Sequence, residues 1–448
     1  MKRKNINRRQ FLQRGGMAAA ALGVAPLILP RNLLGADAPS KKISVGIIGA
    51  GRQTQNINIP GFLTLNNCRV VAVCDVDSWR LQQAKQQVET YYAQEKTSGL
   101  YKGCAAFRDF RDLIARPEID AVFVGAPDHW HVLISLAAMQ AGKDVSCEKP
   151  LSLSIREGRV LADAAKKLNR VTRTDSEFRS LKLFHHAVEC VRNGRIGKLQ
   201  RMFTGTPKEE AHLVPFAEEP VPAELDFDLW LGPAPAAKYS EKRVHPRHDL
   251  RGRPGWMQNL DYCEGMICNW GAHLNDIAQW GHNSDHTGPV EVEASGEYPK
   301  TDNLRNVLQS FQAHYRYADG VELTYKMDRP YTRFEGDEGW IEIPYGSPKL
   351  LTSDPKIISP PSGANWLSFP RKQDKEDFID AVSNRSTTME DFEVGHRTLS
   401  VCQIAHIAIQ LGGKKLKWDP ATERFDHEDA NKLLSRNPWR APWKLEEI

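Results

Sequence analysis

The sequence predicts an α/β protein in two parts. A doubly wound parallel sheet comes first, and an α/β domain with a large, mostly antiparallel open sheet follows. Three observations predict this. An apolar, β-branched run, Ile43–Ile48, leads straight into Gly49-Ala50-Gly51, which reads as strand, tight turn and helix start. Strands then alternate with helix-forming stretches as far as about Asp175, the pattern of parallel strands joined by crossover helices. Beyond residue 176 the strand-like runs lengthen and alternate, and Asp319-Gly320 lies between two of them as a hairpin turn.

The first run carries the chemistry of a phosphate site. Gly49 permits a sharp turn, and Gly51 has no side chain to block a pyrophosphate resting on the helix N-terminus. Arg52 and Gln53 open that helix, and Thr54 stands where a third glycine is usual. A second buried strand, Val70–Cys74, ends in Asp75. A carboxylate there suits a ribose diol, and its charge repels a 2′-phosphate, which favours NAD over NADP. Arg80, one turn into the next helix, leaves some room for NADP.

The elements follow in order. Ser78 to Gln94 is rich in helix formers, and Ala121–Gly125 is a short apolar strand. His131 to Ala141 reads as a helix closed by Gly142, and Asp144–Cys147 as another strand. Ser154-Ile-Arg-Glu157 is a capping box opening a helix to about Leu168, and Val171–Thr174 is a last short strand. Ligands of such sheets sit beyond the strands' carboxyl ends. Two unusual segments fall there: Ala126-Pro127-Asp128-His129-Trp130-His131 and Glu148-Lys149-Pro150. After a helix at Leu181–Asn193 come strands at Leu199–Thr206, Val290–Glu297, Val307–Tyr317, Val321–Met327 and Trp340–Ile343. Helices at Lys375–Ser383 and Gly395–Leu411 cover one face of that sheet, with another subunit as an alternative cover. Loops at 207–262 and 345–370, rich in Pro and Trp, border the site or extend a subunit contact.

The chain has 448 residues, 41% hydrophobic and 26% charged, as in a globular protein of two or three domains. Its formal charge of +4 is set by the first 36 residues. They hold Lys2, Arg3, Lys4, Arg8, Arg9, Arg14 and Arg31 and no acid. The remainder is mildly acidic and has no electrostatic attraction for nucleic acid. Arg8-Arg9 before the apolar run Met17–Pro30, with small residues near Ala36, resembles a twin-arginine export signal. The run is too short and Pro-broken to span a membrane. The expected parts are therefore a signal at 1–36, a dinucleotide-binding domain at 41–175, and a substrate-binding and oligomerisation domain at 176–448. The expected location is periplasmic or otherwise exported.

The eight cysteines include no CxxC pair and read as small buried hydrophobes. Four histidine pairs, among them His129/His131 and His245/His248, lack a third ligand at zinc spacing, so no metal is expected.

Taken together, Gly49-Ala-Gly51, Asp75, Pro127-Asp-His-Trp-His131, Glu148-Lys-Pro150, Gly194-Arg-Ile-Gly197 and Trp270-Gly-Ala-His273-Leu-Asn-Asp276 resemble the Gfo/Idh/MocA oxidoreductases. Glu335–Trp340 and Trp418-Asp-Pro resemble the family's exported branch. The resemblance implies a Rossmann domain for NAD or NADP, a C-terminal sheet that packs subunits into a dimer or tetramer, and hydride exchange with a sugar or similar polyol. Lys149 matches the lysine that hydrogen-bonds the reacting oxygen, and His273 matches the proton-transfer histidine. His129 and Trp130 match a loop lining the nicotinamide, and Arg179 matches a position near the site.

Oxidising a secondary alcohol needs an acceptor for its proton and a cation for the developing alkoxide. Histidine suits the first task and lysine the second. Asn269, His273 and Asp276 fall on one helix face by their spacing, with Asp276 placed to orient His273. The family commonly has Asp where Asn269 stands. The amide keeps hydrogen bonding but lacks the charge that supports an imidazolium. Asp261, Tyr262 and Glu264 are candidate substitutes. Glu177 stands where the family often has Gln, and Tyr262 and His245 suit stacking on a sugar face. The expected catalytic set is thus Lys149, His273, Asn269 and Asp276. Lys149, Arg179, Tyr262 and His273 are expected to meet substrate. Gly49, Gly51, Arg52, Gln53, Asp75, Ala126, Pro127, His129, Trp130, His131, Glu148 and Lys149 are expected to hold NAD, tightly, because an exported enzyme has little free cofactor. Two further readings stay open: a glycoside-cleaving enzyme that oxidises the ring transiently, and a catalytically weak cofactor-holding protein.

Overall fold

The computed structural model describes residues 42–209, 214–300, 304–359, 366–436 and 439–445. The export signal expected at 1–36 lies outside them. Ile43–Ile448 form one compact unit.

The first sheet has six parallel strands: β1 (Ile43–Ile48), β2 (Cys68–Cys74), β3 (Ala105–Phe107), β4 (Ala121–Val124), β5 (Asp144–Glu148) and β6 (Thr172–Asp175). Their order is β3-β2-β1-β4-β5-β6, so the winding reverses between β1 and β4. A crevice opens at such a reversal, beyond the carboxyl ends of the strands. β4 is buried along its whole length, as a strand covered on both faces must be. A π-helical turn, Thr54–Asn58, runs into α1 (Ile59–Leu63), followed by α2 (Ser78–Tyr91), α3 (His131–Gln140) and α4 (Ile155–Lys167). Ser154 caps α4 by accepting from the Glu157 amide at 3.3 Å. The Glu157 carboxylate returns to the Leu153 amide at 2.9 Å, one residue earlier than a capping box requires.

The second sheet has nine strands: β7 (Leu199–Pro207), β8 (Glu291–Glu297), β9 (Ser310–Arg316), β10 (Glu322–Asp328), β11 (Tyr331–Gly336), β12 (Trp340–Pro344), β13 (Leu351–Thr352), β14 (Leu416–Asp419) and β15 (Arg424–Phe425). They run β13-β12-β11-β7-β10-β9-β8-β14-β15. Only β7 and β10 pair in parallel. The turn at Asp319-Gly320 joins β9 to β10, with the Gly320 amide on the Tyr317 carbonyl. Residues of β9 alternate strictly between buried and exposed. The buried set, Phe311, Ala313 and Tyr315, shares a core with α5 (Lys182–Arg192), α7 (Gly271–His282) and α9 (Phe392–Gln410). The opposite face carries Gln312, His314 and Arg316. α6 (Met266–Asn269) precedes α7 with only Trp270 between them, and α8 (Asp374–Asn384) packs beside the first sheet. No helix among the described residues is long and apolar enough to cross a membrane. All eight cysteines are buried and unbridged.

Candidate active site

Gly49, directly after β1, has φ +88°. A Cβ there would lie 2.4 Å from the Ala126 amide nitrogen, so only glycine lets the β1 and β4 loops close on each other. The Thr54 hydroxyl fills the place of a third glycine, bonding to the Gly125 carbonyl at 3.4 Å. A Cβ on Gly51 would meet nothing within 4 Å, because it faces open space. That space is a cleft of about 600 Å³ along the reversal of the sheet. Gly49, Gly51, Arg52, Gln53 and Asp75 line one part of it, and Lys149, Asn269 and His273 another.

This cleft fits a nicotinamide dinucleotide. The uncrowded face of Gly51 leaves room for a pyrophosphate at a helix start. The Asp75 carboxylate is braced by the Ala50 amide at 2.6 Å and the Asp77 amide at 2.8 Å, and each oxygen keeps a lone pair for a diol. The Arg80 guanidinium also lines the cleft, within reach of the Asp75 charge, and donates to the carbonyls of Pro246 and Asp249 at 2.9 and 3.0 Å. Ala126, Pro127, Trp130, His131 and Glu148 also line the cleft. His131 ties the two loops together, its ring lying between the carbonyls of Pro150 at 2.7 Å and Ala126 at 2.8 Å. Burial lowers its pKa to about 4, so it stays neutral and donates to one of them.

At the other part of the cleft, Lys149 follows β5 and is joined to Pro150 by a cis peptide bond. Its ammonium donates to the Asn269 carbonyl at 3.3 Å, which leaves two N–H groups for a ligand. His273 projects from the first turn of α7. Its Nδ1 sits on the Ser176 carbonyl in a very short contact. A carbonyl only accepts, so Nδ1 carries the proton and Nε2 keeps its lone pair. Burial, then the nearby Lys149 charge, hold the imidazole well below its usual pKa, against the pull of the Ser176 carbonyl. The ring stacks on Phe178, centroids 4.3 Å apart and planes 16° apart.

Four expected site residues stand elsewhere. Asp276 is fully buried and takes both oxygens to Arg179, at 2.6 to 3.0 Å, so it does not orient His273. Arg179 is consumed by that pair, by Asp285 at 2.9 Å and by the Met389 carbonyl at 3.1 Å, and lies outside the cleft lining. Tyr262 is fully buried in a satellite core, its hydroxyl accepting from Arg243 at 3.3 Å. His129 is also buried, with Nε2 on the Trp230 carbonyl at 3.0 Å. Burial lowers its pKa to about 3, and it supports the cleft wall from behind Trp130. His245 does line the cleft, with Nε2 3.1 Å from Asp77. Neither Asp261 nor Glu264 lines it. The Glu264 carboxylate is held by His406 at 2.8 Å and Gln403 at 3.1 Å, and Asp261 lies 3.7 Å from Arg243.

The Arg179–Asp276 pair yields a stability prediction. Arg179→Ala strands a buried carboxylate and is expected to cost about 3–5 kcal/mol of unfolding free energy. Urea unfolding measures it, and a loss below 1 kcal/mol would contradict the pairing.

The sequence reading left Ser176 out. Ser176 sets the His273 tautomer through its main-chain carbonyl, which no side-chain pattern reveals. Glu177 lines the cleft with φ +68°, a strained conformation for a non-glycine residue. Its carboxylate lies with those of Glu148 and Asp175, oxygens within 4.8 Å of one another. Burial first, then the charges of Asp175 and Glu148, raise the Glu177 pKa to about 8, against Lys375. Its Oε1 accepts from the Gln53 side-chain amide at 3.4 Å. Lys375 bridges Asp175 and Asp374 and supplies the cation of this cluster. Asp128, Phe178 and Tyr345 complete the lining near Lys149 and His273.

Residues 43–176 match the family model described as oxidoreductase family, NAD-binding Rossmann fold. Residues 209–445 match that of the oxidoreductase family, C-terminal alpha/beta domain. The chain belongs to the Gfo/Idh/MocA oxidoreductase family. Among curated relatives of this Gfo/Idh/MocA oxidoreductase, D-glucoside 3-dehydrogenase of Escherichia coli is 30% identical over 160 residues, 36% of this chain and 42% of that protein. A glycosyl hydrolase family 109 protein of Saccharopolyspora erythraea is 29% identical over 200 residues, 40% of this chain and 42% of that protein. The chain thus spans less than half the length of these relatives. Among solved structures, the aldose-aldose oxidoreductase of Caulobacter crescentus shares the fold at a TM-score of 0.59 and 19% identity, over 84% of this chain and 99% of that one. The WlbA dehydrogenase of Bordetella pertussis, crystallised with NADH and UDP-GlcNAcA, shares it at 0.59 and 15% identity, with the same coverage.

Proposed function

We propose that this member of the family is an NAD-dependent oxidoreductase acting on a ring hydroxyl, or the matching keto group, of a sugar. One observation carries the reading: the Lys149 ammonium and the unprotonated Nε2 of His273 share a cleft with Gly51 and Asp75. Bound nicotinamide supplies the hydride acceptor or donor. The chain's own groups handle the oxygen. Lys149 donates to the reacting oxygen and stabilises negative charge as it develops. His273 Nε2 takes the hydroxyl proton in oxidation and returns it in reduction. The Ser176 carbonyl fixes the tautomer, and Phe178 holds the ring plane. Trp130, Phe178 and Trp270 line the surrounding wall and exclude water. The braced carboxylate of Asp75 favours NAD over NADP.

Asn269 supports the same reading. It ends α6, four residues before His273 but on a separate short helix rather than on one face with it, and it lines the cleft. Asn269→Asp places a carboxylate near the imidazole and raises the pKa of its conjugate acid. The base works unprotonated, so activity falls as pH drops through that pKa. The acid limb of the kcat/KM profile is therefore expected to move to higher pH. An unmoved limb would remove position 269 from the mechanism.

A second reading draws on the family 109 relative. Transient oxidation of the ring acidifies a neighbouring proton, a glycosidic substituent leaves, and reduction follows. Release of the aglycone with no net reduction of NAD would favour it. We further propose that residues 1–36 direct export by the twin-arginine route, that NAD is carried tightly bound, and that the polar face of the nine-stranded sheet pairs with a second copy. The test of the main reading is direct. Purified protein given a panel of aldoses, cyclitols and glycosides should form reduced nicotinamide with NAD and much less with NADP. No redox change with any of them would refute it, and a preference for NADP would refute the role of Asp75.

A further inference from the structure

Asp128 is 3% exposed, and its Oδ2 has no hydrogen-bond partner among the described residues. A buried carboxyl left unpaired costs stability unless something entering the site completes it. Asp128 lines the cleft, and the sheet fixes its place there. β4 and β5 are neighbours in register, Val124 beside Cys147, so Asp128 and Lys149 leave adjacent strand ends. His131 ties the two loops, its ring lying between the carbonyls of Ala126 and Pro150. Asp128 also opens a buried single turn of 3-10 helix, Asp128–Trp130, with the Trp130 amide on the Pro127 carbonyl at 2.9 Å. Trp130 Nε1 donates to the Trp230 carbonyl at 3.0 Å, which anchors the far end of that turn. Burial raises the Asp128 pKa well above the usual carboxylate value, and of the charges around it Lys149 acts most strongly, in the opposite sense. Lys149 nonetheless turns to the Asn269 carbonyl, so the acid and the ammonium both stay open to a ligand.

The hydrogen bonds on offer balance for a diol. Lys149 keeps two N–H groups, His273 Nε2 accepts one proton, and the Asp128 carboxyl accepts another. The reacting hydroxyl takes one lysine N–H and gives its hydrogen to His273. In a sugar, the hydroxyl on the adjoining carbon lies within hydrogen-bond reach of the reacting oxygen, so it can take the second lysine N–H. Its own hydrogen then needs an acceptor. We propose that Asp128 is that acceptor, so that the site reads a vicinal diol: one hydroxyl reacts on Lys149 and His273, and its free neighbour is held by Lys149 and Asp128. A substrate lacking the neighbouring hydroxyl leaves the carboxyl buried and unpaired, and is rejected for that reason. The inference rests on the sugar oxidoreductase reading for the reacting hydroxyl, but the second contact is a matter of binding.

The test pairs variants with ligands, by calorimetry on the NAD-loaded protein. The probes are methyl β-D-glucopyranoside and methyl β-D-galactopyranoside, each beside its monodeoxy analogues at every ring hydroxyl. In the wild type at least one deoxy analogue is expected to bind about 10–100-fold more weakly than its parent. Asp128→Ala should weaken the parent by a similar factor and leave that analogue unchanged, so that the two losses do not add. Asp128→Asn keeps a carbonyl oxygen in place and should retain most of the parent's affinity. Since the carboxyl has no partner in the empty cleft, Asp128→Asn should not lower the Tm of the unliganded protein, and a large loss would assign Asp128 to the fold instead. Losses that add, no loss with any analogue, or neither parent binding would overturn the proposal. So would weaker NAD binding with sugar discrimination intact, which would give Asp128 to the cofactor. An Asn variant as weak as the Ala variant would also overturn it, because the acid would then act through its charge on Lys149. If the losses fail to add but the wild type reduces no NAD with the parent sugar, the contact stands and the oxidoreductase reading falls. If NAD is reduced and the losses add, the reading stands and the contact falls.

Discussion

Lys149→Met is expected to lower kcat/KM for the sugar by about 10²–10³-fold. Methionine keeps much of the length and apolar stem of lysine and removes the charge. The loss should fall mainly on kcat, because the ammonium meets its full partner only when the oxygen carries negative charge. NAD affinity should hold, since the expected dinucleotide contacts at Gly49, Gly51 and Asp75 are untouched. A second effect has a definite sign. Lys149 is the nearby charge that helps keep His273 below its usual pKa. Without it the imidazolium becomes easier to form, so the acid limb of the residual activity should move to higher pH. Steady-state kinetics across pH reads both effects. Turnover equal to wild type would support the cofactor-holding protein instead.

His273→Gln should cost about 10²–10⁴-fold in kcat, the range for loss of a positioned general base. The glutamine amide can still donate to the Ser176 carbonyl, so the helix start and the cleft wall are retained. Nothing then accepts the hydroxyl proton at the reacting oxygen. The acid limb of the profile should vanish, and the residual rate should rise with hydroxide concentration. A profile that keeps its acid limb would assign the base elsewhere, with Glu177 the next group to test.

The position of Lys149 was legible because local patterns carry it. Gly49 and Gly51 follow a strand, Asp75 ends the next, and Lys149 follows another, so elementary backbone rules place all four at one edge of a parallel sheet. The helix face at His273 was legible only in part. Asp276 lies three residues on, about 60° round the helix from His273. Which way that offset turns depends on what packs there, and Arg179, 97 residues distant in sequence, takes both carboxylate oxygens. Tyr262 misled for a related reason. An aromatic or histidine in a Trp-rich loop suits a sugar face and a satellite core equally well, and burial decides between them. The pairing of β7 with both β10 and β11 joins distant segments and has no local signature. It places β11 and β12, and so the turn holding Tyr345, beside the cleft.

The central claim is that one ammonium and one imidazole act on the same sugar oxygen. The most direct measurement is a crystal structure of the NAD complex with a non-reacting sugar analogue. The account predicts a single hydroxyl oxygen of the sugar within about 2.7–3.2 Å of both Lys149 Nζ and His273 Nε2. An analogue bound in the cleft with its oxygens out of reach of either nitrogen would contradict it.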